Sequence, residues 1–232
     1  MSTSPGELLY ACEMYGLMER VYLSMIGKPH SHIKCLFKAS HDGDEFEAMM
    51  DGVAGAQGGL LFVIEDDKHH NRFACHLEGP LIPPTDPTSV LTTGCPVAFY
   101  SISGAFKEEG ITKITVPHHN QRVVVAGAQE AVRAVGDRRL GKVSIGGGRL
   151  WVGVERRGTA GDLRRCCQWL TRGDLPADKT YVGSFDGPHW RDVTLAASPW
   201  FTCADLEVYK LEQAVPYSWL WLSAAASLME GR

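Results

Sequence analysis

Ser144-Ile145-Gly146-Gly147-Gly148-Arg149-Leu150-Trp151-Val152-Gly153 joins three successive glycines to a short alternating strand pattern. Glycines in series admit positive φ and close approach of backbone or ligand, so the run marks a tight bend, a bulge or an anion nest feeding the strand. A phosphate-cradling loop would end in lysine followed by serine or threonine and then open a helix. Here Arg149 is followed by Leu150-Trp151-Val152, which reads as strand, so a glycine bend into a buried strand is expected ahead of nucleotide binding.

The 232 residues are 44% hydrophobic and 22% charged, a balance suited to one globular domain with extensions and a substantial core. A net charge of -4 supplies no basic field to gather phosphates, which argues against nucleic acid as a partner. The seven cysteines (Cys12, Cys35, Cys75, Cys95, Cys166, Cys167, Cys203) form neither a CxxC pair nor a disulfide-scaffold rhythm, and most are expected as buried free thiols. No signal-like opening is found, and no apolar run reaches the roughly 18 residues that span a bilayer. A cytoplasmic protein without a membrane span is the expectation.

Outward from the glycine run, strands and turns dominate. Ile33 to Ala39 is an apolar run closing on the turn-forming Asp42-Gly43, followed by a helical stretch from Asp44 to Asp51. Leu60-Leu61-Phe62-Val63-Ile64 is a continuous apolar strand of the kind buried on both faces, and the polar loop from Glu65 to Asn71 returns it into Arg72 to Leu77 as a hairpin. Before these, Leu8, Leu9, Tyr10, Met14, Leu17, Met18, Val21, Tyr22 and Met25 recur at helical spacing. They predict an amphipathic helix that docks on its own domain or in a partner's groove. The last segment places Trp219 and Trp221 ahead of an alanine-rich helix former. Three parts follow: residues 1–33 as helix and linker, 34–212 as the domain, and 213–232 as an aromatic and helical tail.

The order of "LFKASHDG" (36–43), "GGLLFVIED" (58–66), "RFACHL" (72–77), a strand at Val97 to Ile102, "IGGGRLWV" (145–152) and "FTCADLEVY" (201–209) resembles the TLDc family. Gly161, Cys166 and Trp169 keep the spacing of its glycine, cysteine and aromatic residue, while Leu163 stands where serine is usual. Ala74-Cys75 replaces its common glycine pair, and the segments Gly94 to Val125 and Leu170 to Pro199 depart from it, which marks a divergent member. The resemblance implies an α+β fold, a two-sheet antiparallel β-sandwich flanked by short helices. It also implies motif positions at Ser40, Asp42, Gly43, Gly146, Gly147, Gly148, Trp151, Gly161, Cys166 and Glu207. The brief, turn-bounded strands independently disfavour a parallel sheet.

Chemistry is weakly signalled. His69-His70, Cys75-His76, His118-His119 and Cys166-Cys167 are adjacent pairs whose side chains diverge on strands, so no metal site or cofactor is expected. Arg164 and Arg165 beside Cys166-Cys167 hint at an electropositive thiol setting, against which stands the buried thiol. Glu65-Asp66-Asp67 is expected at a solvated hairpin tip. Glu207, on one strand face with Asp205, either bonds loop N–H groups or faces a shared surface. No nucleophile elbow is present.

The family's properties then imply a non-catalytic protein-interaction module in oxidative-stress protection, acting by binding or regulating the vacuolar-type proton-pumping ATPase. A structural subunit of a large assembly, for example a cytoskeletal one, is the first alternative, and a thiol-dependent redox enzyme the second. Met14, Met18, Trp219 and Trp221 are the candidate partner-docking residues.

Overall fold

The computed structural model describes residues 16–17, 30–133, 140–155, 161–186 and 192–213. The α+β, two-sheet sandwich is what these residues form. Alternating strand faces explain how. In the hairpin of β2 (Gly59–Asp66) and β3 (Arg72–Leu77), Leu60 pairs with Leu77 and Glu65 with Arg72. Leu60, Phe62 and Ile64 join one apolar cluster, and Leu61 and Val63 join another, so the unbroken apolar run is buried on both faces.

One sheet has the order β1-β16-β2-β3-β5-β6, where β1 is His30–Lys38, β5 Val97–Ser103, β6 Thr112–Thr115 and β16 Trp200–Gln213. The other runs β4-β7-β10-β11-β12, from β4 (Val90–Gly94) through β7 (Arg122–Ala126), β10 (Val143–Ile145) and β11 (Leu150–Val152) to β12 (Arg165–Gln168). Every pairing is antiparallel. β16 belongs to both: Trp200 to Thr202 pair with β12, and Cys203 to Leu211 pair with β2 after a register shift at Cys203/Asp205. That irregularity bends the strand from one sheet into the other.

The core lies between the sheets, where Phe62, Phe73, Phe99 and Val208 meet Val123, Val143, Leu150 and Val152. Outside the first sheet, fully buried Leu17 packs in a cluster with Leu61, Val63, Tyr100 and Tyr209. Outside the second, Trp151 and Cys167 pack with Val132 of β8 (Val132–Arg133), which pairs with β9 (Leu140–Gly141). A small third sheet of β13 (Leu170–Thr171), β14 (Phe185–Asp186) and β15 (Asp192–Val193) occupies the divergent segment.

Two local expectations shift. The run after β1 continues into a short helix, α1 (Ala39–Asp42), which Gly43 ends at φ +96°. The next helix, α2, spans Phe46–Val53 and does not start at Asp44. Asp44 and Glu45 are taken by the second sheet's loop: Leu163 N donates to Asp44 O at 2.8 Å, and Glu45 forms a bridge with Asp162. Extended backbone at Glu45 then delays the helix.

Candidate functional site

A dense polar cluster gathers where α1 leaves β1 and crosses β16. Register places Lys38 opposite Glu207, and Lys38 Nζ donates to Glu207 Oε1 at 2.5 Å while lying 3.4 Å from Asp205 Oδ2. Tyr209 Oη donates to Glu207 Oε2 at 2.6 Å. Ser40 closes the other side, its N at 3.0 Å from Asp205 Oδ1 and its Oγ at 2.7 Å from Oδ2, and Leu206 N adds a third donor to Asp205. Asp42 Oδ2 accepts from Lys38 N at 2.8 Å, and His41 Nδ1 lies 2.6 Å from its Oδ1.

Electrostatics fixes what this cluster can do. Burial works to lower the Lys38 pKa, but the hydrogen bond and charge of Glu207, with Asp205 behind them, outweigh it and leave the ammonium above its ordinary range. A lysine held protonated cannot act as base or nucleophile at neutral pH. The Ser40 hydroxyl donates to a carboxylate already shared with Lys38 and two backbone N–H groups. The hydrogen bond from His41 and that from Lys38 N hold the Asp42 carboxyl below its usual range. What the cluster does well is pin β1 and α1 to β16.

Around the triple glycine the same pattern recurs. Gly146, Gly147 and Gly148 take φ of +66°, +67° and +91°, turning β10 into β11 with Ile145 paired to Leu150. Arg149 grips Asp174 with Nε and Nη2 at 3.0 and 3.1 Å and sends Nη1 to Gly146 O, with both charged side chains almost wholly buried. Trp151 Nε1 donates to Gly148 O at 2.8 Å. The Asn120 side chain lies over Gly147, so close that a Cβ there would stand 2.4 Å from Oδ1. The loop is therefore filled and braced by its own chain, as a glycine bend into a buried strand requires.

Cys166 and Cys167 point to opposite faces, one into the core between the sheets and the other into the outer cluster. Cys166 and Cys203 Sγ lie 3.3 and 3.8 Å from Leu163 O. The hydrogen bond with Cys203, then burial, pushes the Cys166 thiol well above its ordinary range. Arg164 and Arg165 do not electrify it, because they turn to Asp44, Asp162 and Glu155. Beside these residues opens a cleft of about 440 Å³, lined by Lys68, Glu155, Arg165, Cys166, Trp200 and Phe201 among others. Its cations and acids are mixed, so it selects no ligand charge.

Of the positions singled out by sequence, Ser40, Asp42 and Glu207 converge on the first cluster, and Gly146, Gly147, Gly148 and Trp151 on the glycine bend. Gly43 ends α1; Gly161 has open space around its Cα, and nothing in the structure explains a glycine there. Met14, Met18, Trp219 and Trp221 lie outside the described residues.

Two expectations are corrected. Asp66 is not at a solvated tip: it is fully buried and accepts from the N–H groups of Lys68, His69, Asn71 and Ala197, tying the β2–β3 loop to the segment before β16. Glu207 bonds the Lys38 ammonium and the Tyr209 phenol, while Asp205 takes the backbone N–H groups of Ser40 in α1 and of Leu206 in its own strand. Sequence reasoning missed Lys38, Tyr209, Arg149 and Asp174. The spacing of Asp205, Glu207 and Tyr209 along one strand face was the available signal, whereas Lys38 needed the β1–β16 register and Asp174 lies 25 residues from Arg149.

No protein-family model matches this chain, and no curated protein matches it. Among the described residues, no group of three or more His, Cys, Asp or Glu is placed to hold a metal ion, and no helix is long and apolar enough to cross a membrane.

Proposed function

We propose that this chain is a non-catalytic, TLDc-like interaction module that works by what its surface touches, with the vacuolar-type proton-pumping ATPase as its partner in oxidative-stress protection. The observation that supports a non-catalytic role is mutual saturation: Glu207 is spent on Lys38 and Tyr209, Asp205 on Ser40 and backbone, and Arg149 on Asp174. Groups tied to one another in this way hold strands together and offer no poised acid, base or nucleophile to a substrate. The resemblance of the motif order supplies the partner; a large structural assembly, for example a cytoskeletal one, is the competing partner.

Affinity purification of the full chain from native lysate, with proton-pump subunits and cytoskeletal proteins both scored, tests this. Enrichment of pump subunits is the expected result. Enrichment of cytoskeletal proteins without pump subunits would overturn the choice of partner.

A further inference from the structure

The first sheet is apolar on its outward face as well as on the face turned to the core. Leu61 and Val63 of β2, Ala74 of β3, Tyr100 of β5 and Tyr209 and Leu211 of β16 form one cluster there, each at most 5% exposed. An antiparallel sheet with one solvated face alternates apolar with polar residues, whereas these strands bury both faces, so the outward one needs a cover. Among the described residues, Leu17 is the one buried member of the cluster that no strand contributes. A single leucine cannot cover this face, because strands about 4.8 Å apart make the sheet from β1 to β6 about 24 Å wide.

Chain length and position point to the cover. Gly16 and Leu17 are helical, and a Cβ on Gly16 would stand 3.3 Å from Cδ1 of Ile111, the residue directly before β6 at one edge of the sheet. His30 opens β1 at the opposite edge. The chain from Leu17 to His30 therefore has to pass from one edge to the other. A helix that continues to Met25, as its apolar spacing predicts, advances about 12 Å, and extended backbone from there to His30 adds at most about 17 Å. That reach only just exceeds the width of the sheet, so the route over the outward face is the one short enough.

We propose that the outward face of the first sheet is the seat of the chain's own N-terminal helix, which crosses it with Leu17, Val21 and Met25 turned inward. These three stand at i, i+4 and i+8, one apolar row along a helix, and Tyr10 and Met14 continue the row toward the N-terminus. Glu19 falls on the opposite side of the helix, where a charge stays in water. The sequence pattern left two destinations open for this amphipathic segment, its own domain or a partner's groove. Leu17, buried among Leu61, Val63, Tyr100 and Tyr209, decides for the first. Met14 then belongs to the row that meets the sheet, and Met18, turned about 100° from Leu17, lies at its flank.

The purified full chain, with no partner present, tests this. Val21→Asp and Met25→Asp should each lower the midpoint of thermal unfolding by several degrees and raise the fluorescence of a dye that binds exposed apolar surface. Glu19→Lys should change neither. Val21→Ala should shift the midpoint the same way by less, which gives a reading even where an aspartate variant does not fold. Gly16→Leu drives its side chain onto Ile111 and should destabilise the chain, and Ile111→Ala combined with it should recover part of that loss. Val21→Ala and Met25→Asp that both keep the parent's midpoint and dye signal overturn the proposal, since the row would then face away from the sheet. A dimer in sedimentation velocity that Val21→Asp dissociates overturns it as well, by placing the helix on a second copy.

Discussion

Lys38 Nζ stands 2.5 Å from Glu207 Oε1 across the β1–β16 pair, with Glu207 sealed from solvent. Removing Lys38 leaves the buried Glu207 carboxylate without its counter-charge, though Tyr209 still donates to it, a loss toward the lower end of the range, about 3–5 kcal/mol, typical of broken buried pairs. Lys38→Met should therefore lower the urea midpoint strongly, and Lys38→Met with Glu207→Leu together should lower it much less. Equal losses in the single and double variants would show that the pair is not what holds β1 in place.

Alkaline pH should expose two groups with the same sign. Burial pushes the Tyr181 phenol up to about 12, against a smaller lowering by the Thr194 backbone. Lys38 is also raised, by Glu207 and Asp205 against the effect of burial. Each folded-state pKa lies above its unfolded one, so the stability they contribute is complete below about pH 10 and is lost as pH rises through the folded values. Phenolate absorbance of the folded protein should include a late-titrating phase that Tyr181→Phe diminishes. A late phase of unchanged size in Tyr181→Phe, or none in the parent, would contradict this.

Two glycines with positive φ should respond differently to alanine. Gly43 has open space around its Cα, so Gly43→Ala costs only the strain of a backbone at φ +96° and ψ 170°, a region essentially reserved to glycine, about 1–3 kcal/mol. Gly147→Ala adds a clash with Asn120 and should cost more. Thermal unfolding that ranks them equally would mean that Asn120 moves aside freely.

Thiol alkylation followed by mass spectrometry should rank the described cysteines by access. Exposed Cys35 should react first, although burial of part of its side chain raises its pKa. Buried Cys75 and Cys166, both pushed well above the ordinary thiol range, should react last. Faster labelling of Cys166 than of Cys35 would revive a thiol-based chemistry.

Much of the fold was legible because strand signals are local. The β2–β3 hairpin follows from one apolar run, one polar loop and a second apolar run, and the glycine bend from three residues whose φ only glycine adopts readily. What stayed hidden depends on register. Asp66 looks like a loop residue until Ala197, 131 residues away, is brought to its carboxylate. Lys38 looks like a solvated strand-end lysine until β16 sets Glu207 against it. The β16 irregularity that lets one strand serve both sheets has no composition signature, since Cys203, Ala204 and Asp205 are ordinary strand and loop residues.

The direct test of a surface-acting, non-catalytic module is binding of the purified full chain to the cytosolic sector of the vacuolar-type proton pump, read together with the pump's ATP hydrolysis. The chain should bind and change the hydrolysis rate, and the triple variant Cys75→Ala, Cys166→Ala, Cys167→Ala should do the same once its fold is verified by circular dichroism. A chain that does not bind, or a folded triple variant that has lost all effect, would contradict the account.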